Sequence, residues 1–436
     1  VAEHLAKAGQ EVVVTDGRAV PEEAVAARLS ELGILAVWGA HPLTLLDGCD
    51  EVVLSPGVPP SLALALEAGE RGIPVIGELE LAHRVLRARD PLAMVLAITG
   101  TNGKSTTTDL LAHLLKAAGL PAVACGNLGT PLITALEGAE PGTRFAVECS
   151  SYQLETIRDF HAEAAAALNL TPDHLARHGT MEAYRLAKVG IFQHQTPEDL
   201  RLTPLNDDAF EAFAPGEGAS ARFGWDCPDG PGAWCDDHGT LWLKDARGEH
   251  PLIPRSQLRI PGDHNVENAL AAAVLAERGG ADLDGIREGL RTYPGLAHRM
   301  AFCGERNDVR AYNDSKATNV DAALTGIRAL EGPLVLLLGG QGKGTSYAPL
   351  REALEGKLRR LIFLGEDIPQ LERDLGDLPH SSIQPFDEAV AAALEAARPG
   401  DQVLLSPACA SFDQFKDFEA RGEHFEALVK AWALGA

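Results

Sequence analysis

Short apolar runs alternate with longer stretches of helical periodicity along almost the entire chain, and no other feature narrows the fold as much. Two strands that lie parallel in one sheet need a crossover of a dozen or more residues, usually a helix. A chain written strand, helix, strand, helix therefore folds as α/β with parallel sheets. Its 436 residues exceed what one ordinary core holds. Three domains are expected, over residues 1–88, 89–292 and 293–436.

The first segment has apolar runs at Glu11–Thr15, Ile34–Trp38, Glu51–Leu54 and Pro74–Ile76 and reads as a Rossmann-like nucleotide-binding domain. Val1–Gly9 has the pattern of a helix that follows a first strand and a glycine-rich turn. Neither precedes it, so the natural chain is expected to extend further at this end. Asp16 closes an apolar run at the acidic position that often meets a ribose, and Ser55-Pro56-Gly57 follows another, where ligands bind in open α/β sheets. After the hinge-like Ala88-Arg89-Asp90-Pro91, strands are expected at Met94–Thr99, Phe145–Glu148 and Ala165–Leu170, with a helix over Ser105–Ala118. Residues 200–262 are rich in Gly, Pro, Asp and Trp with short alternating runs, the pattern of a small antiparallel insertion. The helix Asn265–Glu277 closes this segment. The third segment, with strands at Val309–Tyr312, Leu334–Leu338, Arg360–Leu364 and Gln402–Leu405, reads as doubly wound α/β.

A formal net charge of -24 repels nucleic acid and anionic membranes, and no block of Lys and Arg offsets it. Anionic substrates must then be met by locally placed cations and backbone N–H groups. The seven cysteines have no disulfide rhythm, which points to a cytoplasmic protein, and Cys227, Cys235 and His238 lack zinc-site spacing. No apolar run reaches the roughly 18 to 20 residues that cross a bilayer. No segment shows a long coiled-coil seam, so a monomer is expected.

The strongest chemical signal is Gly100-Thr101-Asn102-Gly103-Lys104-Ser105 between an apolar strand and a helix. Such a loop surrounds phosphate with backbone N–H groups at a helix N-terminus; Lys104 can reach the outer phosphates and Ser105 can ligate Mg²⁺. Ile98 stands where the usual pattern has a glycine, so this is a shortened P-loop. Glu148 ends a strand, a position from which a carboxylate can hold a hard cation. His174, in Thr171-Pro172-Asp173-His174, follows another strand and reads equally as a second metal ligand or as a loop histidine.

These motifs, together with Glu148–Glu155, Asn169–His174 and Tyr184-Arg185-Leu186-Ala187-Lys188, resemble those of the Mur ligases in order and spacing. Asn313–Asn319 and Leu405–Phe415 narrow the resemblance to the members that add D-glutamate to UDP-N-acetylmuramoyl-L-alanine. The likeness implies an ATP-dependent, ADP-forming amide-bond ligase of peptidoglycan precursor synthesis, working through an acyl phosphate and a tetrahedral intermediate. It implies that Gly100, Thr101, Asn102, Gly103, Lys104, Ser105 and Thr106 hold ATP phosphates, with Asn268 at the adenine, Arg299 at the phosphates and Asp314 at the ribose. Because Arg299 and Asp314 lie in the third segment, ATP is expected between domains that close on it. Two Mg²⁺ ions are implied, with Ser105, Glu148 and His174 as ligands. Lys188 matches a lysine that reacts with CO₂, turning a cation into a carbamate anion that supports the second ion. An ammonium in its place would be repelled by several kcal/mol at an effective dielectric near ~20.

Substrate positions carry over in the same way. Asp16, Arg18, Ser55, Pro56 and Gly57 match residues around the uridine diphosphate, and Asn127 matches a residue at the muramoyl part. Thr318, Lys343, Ser411 and the backbone near Phe418 match the pocket for the acceptor amino acid, and Ser150 and Lys316 match further substrate-binding positions. Another Mur-type or folylpolyglutamate-type ligase shares the ATP-binding core and is the nearest alternative. A P-loop ATPase that drives a conformational change is a more distant one. A nicotinamide-dependent oxidoreductase is disfavoured, because no intact G-x-G-x-x-G stands at a strand–helix turn.

Overall fold

A computed structural model of the chain describes all residues except Leu128, Asp208, Ala209, Glu211–Phe213, Lys343 and Ala436, and all side chains but those of Leu175 and Ala176 in addition. The chain forms two compact units, Val1–Leu252 with Leu270–Gly289, and Ile253–Ala269 with Leu290–Ala436.

In the first unit the N-terminal residues form two separate parallel pairs. Val13–Asp16 lies beside Leu35–Trp38, and Val52–Leu54 beside Val75–Gly77. Leu35–Trp38 and Val52–Leu54 end where expected and the other two strands one residue later, so Asp16 and Ser55-Pro56-Gly57 both stand at carboxyl ends of strands. The helix Glu78–Arg89 follows, its face of Leu79, Ala82 and Leu86 buried in the main core of this unit.

That core covers a nine-stranded sheet. Met94–Thr99 is flanked by Arg144–Glu148 on one side and Ala164–Ala167 on the other, all parallel. From Met94–Thr99 the chain runs through the helix Lys104–Ala117 to the outermost strand Ala122–Gly126, returns through Arg144–Glu148, and then crosses to Ala164–Ala167. Successive connections thus leave Met94–Thr99 toward opposite sides, which opens a crevice outside its carboxyl end. Leu110, Leu111, Leu114 and Leu115 of the helix are buried, as the 3.6-residue period requires.

Residues 200–262 differ from the expected antiparallel insertion. Leu200–Pro204, Ala219–Gly224 and Gly232–Cys235 extend the central sheet in parallel, and antiparallel pairing begins only between Gly232–Cys235 and Thr240–Asp245. The segment joining Leu200–Pro204 to Ala219–Gly224 is long enough to return to the starting end, whereas Asp236–Gly239 permits only a hairpin. The alternating pattern identified strands, but alternation does not carry pairing direction.

The second unit holds a six-stranded sheet in the order Ala301–Arg306, Val309–Asn313, Gln402–Leu405, Leu334–Gly339, Leu358–Leu364, His380–Ser382. Leu334–Gly339 is buried along its whole length, as a central strand covered on both faces should be. Only the first pair is antiparallel. Its turn is Asn307-Asp308 at φ 52° and 62°, left-handed values that these two residue types tolerate in a tight hairpin. Among the described residues no helix is long and apolar enough to cross a membrane.

Candidate active site

The residues Val95–Ile98 are fully buried and deliver the Gly100–Gly103 loop to the sheet's carboxyl edge. Gly100 has φ 149°, and a Cβ there would stand 3.0 Å from Leu168 Cβ and 3.3 Å from Leu168 N. Gly103 caps the helix Lys104–Ala117 at φ 82°. The glycines therefore answer to backbone geometry, and they bring N–H groups and a helix N-terminus together as an anion-binding cradle. The loop is braced from Asn169–Thr171. Asn102 N donates to Asn169 Oδ1 at 2.8 Å, and Thr101 Oγ1 donates to Thr171 O at 3.1 Å.

Two lysines meet on this loop. Lys104 Nζ donates to Gly100 O at 3.0 Å and Thr101 O at 2.8 Å, and Lys188 Nζ donates to the same Gly100 O at 2.7 Å. Lys188 is 1% exposed and lies 4.5 Å over the Tyr184 ring. Burial, and after it the charge of Lys104, lowers Lys188 from 10.5 to about 7. Near neutral pH much of its amine is therefore unprotonated, the form that can act as a nucleophile.

Glu148 is 2% exposed at the end of its strand. Its Oε1 accepts from Asn127 Nδ2 at 2.8 Å, and Asn127 N donates to Glu148 O at 2.9 Å, so these two candidates form one unit. Among the described residues, Glu148 Oε2 is buried without a hydrogen-bond partner. A buried carboxylate oxygen is costly unless a donor or cation meets it, and a hard divalent cation fits that chemistry. Among the described residues there is no cluster of three or more His, Cys, Asp or Glu able to hold a metal. A cation at Glu148 would complete its shell with hydroxyl, phosphate and water oxygens.

His174 is exposed in a left-handed conformation at φ 53°, with Nδ1 3.2 Å from Tyr152 Oη and Nε2 3.5 Å from Asp173 Oδ2. Its ring lies among Tyr152 and Tyr184, and the Tyr184 hydroxyl is 3.3 Å from Thr101 Oγ1. The Ser150 hydroxyl is engaged in a capping box with Gln153 at the start of Ser151–Leu154. Asp16 and Arg18 are bound to each other, with Arg18 Nη2 donating to Asp16 Oδ2 at 2.8 Å, and this pairing holds the Asp16 carboxyl down to about 2. Ser55 O accepts from Val58 N at 2.9 Å in a turn.

In the second unit, Asp314 follows the strand Val309–Asn313 and is almost fully buried. Burial raises its carboxyl to about 7, against a 2.7 Å hydrogen bond from Ser406 Oγ and the nearby charge of Arg299. Lys316 Nζ lies 4.0 Å over the Phe418 ring, and burial and then Arg299 lower its pKa. Arg299, Asp314, Lys316 and Phe418 therefore form one neighbourhood. Thr318 N donates to Lys316 O at 2.8 Å. Ser411 is buried, its carbonyl accepting from Gln414 N and Phe415 N at a helical turn. Asn268 is buried beside Asn265, to whose Oδ1 it donates at 3.1 Å. Lys343 lies outside the described residues.

Comparison with known proteins gives the family. Residues 1–77 match the family model for the Mur ligase MurD-like N-terminal domain, residues 98–276 that for the Mur ligase middle domain, and residues 298–409 that for the Mur ligase glutamate ligase domain. The chain is 39% identical to the UDP-N-acetylmuramoylalanine–D-glutamate ligase of Alkaliphilus metalliredigens, over 98% of this chain and 94% of that protein. It is 41% identical to the enzyme of that name from Anaeromyxobacter dehalogenans, over 97% and 93%.

The chain belongs to the Mur ligase family.

As a Mur ligase it is an ATP-dependent amide-bond ligase with the three-domain α/β fold of that family. Solved structures of similar fold include a UDP-N-acetylmuramoyl-L-alanyl-D-glutamate–2,6-diaminopimelate ligase, at TM-score 0.61 and 20% identity over 88% of this chain and 93% of that one. MurF from Acinetobacter baumannii aligns at TM-score 0.60 and 18% identity, over 100% and 99%.

One prominent residue of this Mur ligase was missed in the sequence. Arg421 is 1% exposed; its guanidinium donates to Ser315 Oγ and O at 2.9 Å, Cys409 O at 3.1 Å and Ala410 O at 3.3 Å. It ties the loop holding Lys316 to the loop holding Ser411, and burial lowers its pKa to about 10 against the opposing charge of Asp413. The available signal was its spacing: Arg421, Phe425 and Val429 recur every four residues on the buried stripe of Phe418–Leu434.

Proposed function

We propose that this Mur ligase joins D-glutamate to UDP-N-acetylmuramoyl-L-alanine with ATP in peptidoglycan precursor synthesis. The observation that carries the reading is end-to-end identity of 39% and 41% with enzymes named for that reaction. The Gly100–Ser105 cradle, the two converging lysines and the unpartnered Glu148 oxygen support the same chemistry.

In this reading Gly100–Thr106 and Lys104 hold the outer phosphates of ATP, while Asn268, Arg299 and Asp314 contact its adenine, phosphates and ribose. Asp16, Arg18, Ser55, Pro56, Gly57, Asn127 and Ser150 orient the UDP-linked substrate. Its terminal carboxylate attacks the γ-phosphorus, ADP leaves, and an acyl phosphate forms. Lys316, Thr318, Lys343, Ser411 and Phe418 bind the acceptor and aim its neutral amine at the acyl carbon. The tetrahedral adduct then expels phosphate as the nitrogen gives up its proton. Ser105, Glu148 and His174 would hold two Mg²⁺ ions, which when bound neutralise charge gathering on phosphoryl and carbonyl oxygens. Lys188 would serve them as a carbamate: its neutral amine adds to CO₂ and releases one proton. The low pKa of Lys188 supports that assignment. The reading places a monomeric protein in the cytoplasm, where ATP and UDP-linked substrate are available.

The test is phosphate release from ATP, Mg²⁺ and UDP-N-acetylmuramoyl-L-alanine with D-glutamate, L-glutamate, D-alanine, L-alanine or L-lysine as acceptor. Release that requires D-glutamate, with a product heavier by one glutamyl residue, is expected. Release with a different acceptor would keep the ligase and overturn the substrate. Release with no acceptor would leave a P-loop ATPase.

A further inference from the structure

Tyr347 is buried to 1% exposure in the apolar core of the six-stranded sheet, packed as a phenylalanine would be, yet it carries a hydroxyl. Burying that group is tolerable only if it is hydrogen-bonded. It has two partners: Tyr347 Oη donates to Asp367 Oδ2, and Cys409 Sγ lies 2.9 Å away as the thiol donor. Burial, with the Asp367 carboxylate alongside, raises the Tyr347 pKa, so the phenol stays protonated and keeps donating.

The topology gives this cluster its meaning. Gln402–Leu405, Leu334–Gly339 and Leu358–Leu364 are adjacent parallel strands, with Leu334–Gly339 in the middle. Cys409 lies in the loop after the first, Asp367 in the loop after the third, and Tyr347 near the far end of the loop that leaves the middle strand. One hydroxyl thus joins the two outer loops across the middle one. The backbone already stitches the same three loops. Gln341 N donates to Ala410 O at 2.9 Å, Ala410 N to Gln341 O at 3.1 Å, and Asp367 N to Gly340 O at 3.1 Å. The fit is close: a Cβ on Gly342 would lie 2.1 Å from Asp367 Oδ2, and one on Gly340 would lie 2.3 Å from Ala410 O. Ser411 directly follows the Ala410 bridge, and Gly342 precedes Lys343 in the chain.

We infer that Tyr347, through Asp367 and Cys409, is a positioning residue for the acceptor amino acid, holding the loops of Gly342 and Ser411 at the spacing that binds it. The inference rests on the acceptor pocket proposed above. Tyr347 touches no substrate; it fixes the loops that do. Without the hydroxyl, the ring still fills the core while Asp367 and Cys409 lose their common partner, and the loops keep only their backbone bridges, a looser hold on their spacing.

The experiment is steady-state kinetics of the full chain on all three substrates for Tyr347→Phe, Cys409→Ala and Cys409→Ser, with thermal unfolding of each. Tyr347→Phe and Cys409→Ala are expected to raise the KM for D-glutamate about tenfold, the scale of one lost hydrogen bond to a charged network. The kcat and the KM values for ATP and the UDP-linked substrate should stay within about twofold, and Cys409→Ser, which keeps a donor, should restore the D-glutamate KM. An unchanged D-glutamate KM in both Tyr347→Phe and Cys409→Ala would overturn the inference alone. So would a parallel rise of all three KM values with a fall in melting temperature, the result for a hydroxyl that only supports the core. A parent enzyme with no D-glutamate-dependent turnover would overturn the acceptor reading and this inference together.

Discussion

Asp314 offers a stability experiment in which the sign follows from the structure. Its carboxyl moves from 3.8 in an unfolded chain to about 7 in the folded one, because burial penalises the anion more than Ser406 and Arg299 stabilise it. The packing leaves little room for hydration, since a Cβ on Gly326 would come within 2.6 Å of Asp314 Oδ2. Below about pH 4 both states carry the proton and the group contributes nothing. Between 3.8 and about 7 the unfolded chain releases the proton while the folded chain keeps it, so stability falls as pH rises. Above pH 7 the loss is complete, about 4 kcal/mol at roughly 1.4 kcal/mol per pH unit. Asp314→Asn retains an oxygen for the Ser406 bond and has no proton to lose. It is expected to stabilise the second unit by about 2–4 kcal/mol at pH 8 and by under about 0.5 kcal/mol at pH 4, while lowering ligase activity if Asp314 meets the ribose. Urea unfolding followed by hydrogen exchange in Val309–Asn313 and Leu334–Gly339 reads this locally. An equal gain at both pH values, or a loss at pH 8, would refute the reasoning.

Other expectations concern the first unit and the buried arginine. Gly100→Ala forces a Cβ against Leu168 at a backbone angle that alanine rarely adopts; about 1–3 kcal/mol of stability and most ATP binding should be lost, measured by melting and by nucleotide titration. Glu148→Gln places an amide where an unpartnered carboxylate oxygen stands, so kcat should drop by a factor of about 100 or more and the Mg²⁺ needed for half-activity should rise, with melting temperature unchanged or higher. Arg421→Met leaves four carbonyl and hydroxyl acceptors without their donor and should cost about 2–4 kcal/mol in urea unfolding; a neutral result would mean that water replaces the guanidinium freely.

Local sequence was enough wherever one residue's covalent nature decides the outcome. Gly100 and Gly103 had to be glycines in a strand–turn–helix, and Leu110, Leu111, Leu114 and Leu115 had to face a core, so the cradle and its helix were legible before any fold was known. The apolar run Leu334–Leu338 likewise announced a strand, and the structure extends it to Gly339 and buries it throughout. Pairing was not legible. The strand expected at Ala165–Leu170 runs instead over Ala164–Ala167, four alanines with little strand preference, because Met94–Thr99 and Leu200–Pro204 lie on either side to complete their hydrogen bonds. Leu200–Cys235 joined the central sheet in parallel for the same non-local reason. The chemical state of the site was also decided late. Sequence named Lys188, Glu148 and Asp314; only the fold buried them, set Lys188 beside Lys104 and left a Glu148 oxygen unpaired. Tyr347 and Arg421 were invisible as functional residues because a buried hydroxyl or guanidinium acquires its meaning from partners about 60 and 100 positions away in the chain. Sequence fixes what a residue can donate, accept or fit, since those are covalent properties. Tertiary structure decides dielectric, partner and pairing, since these depend on groups that chain order does not bring together.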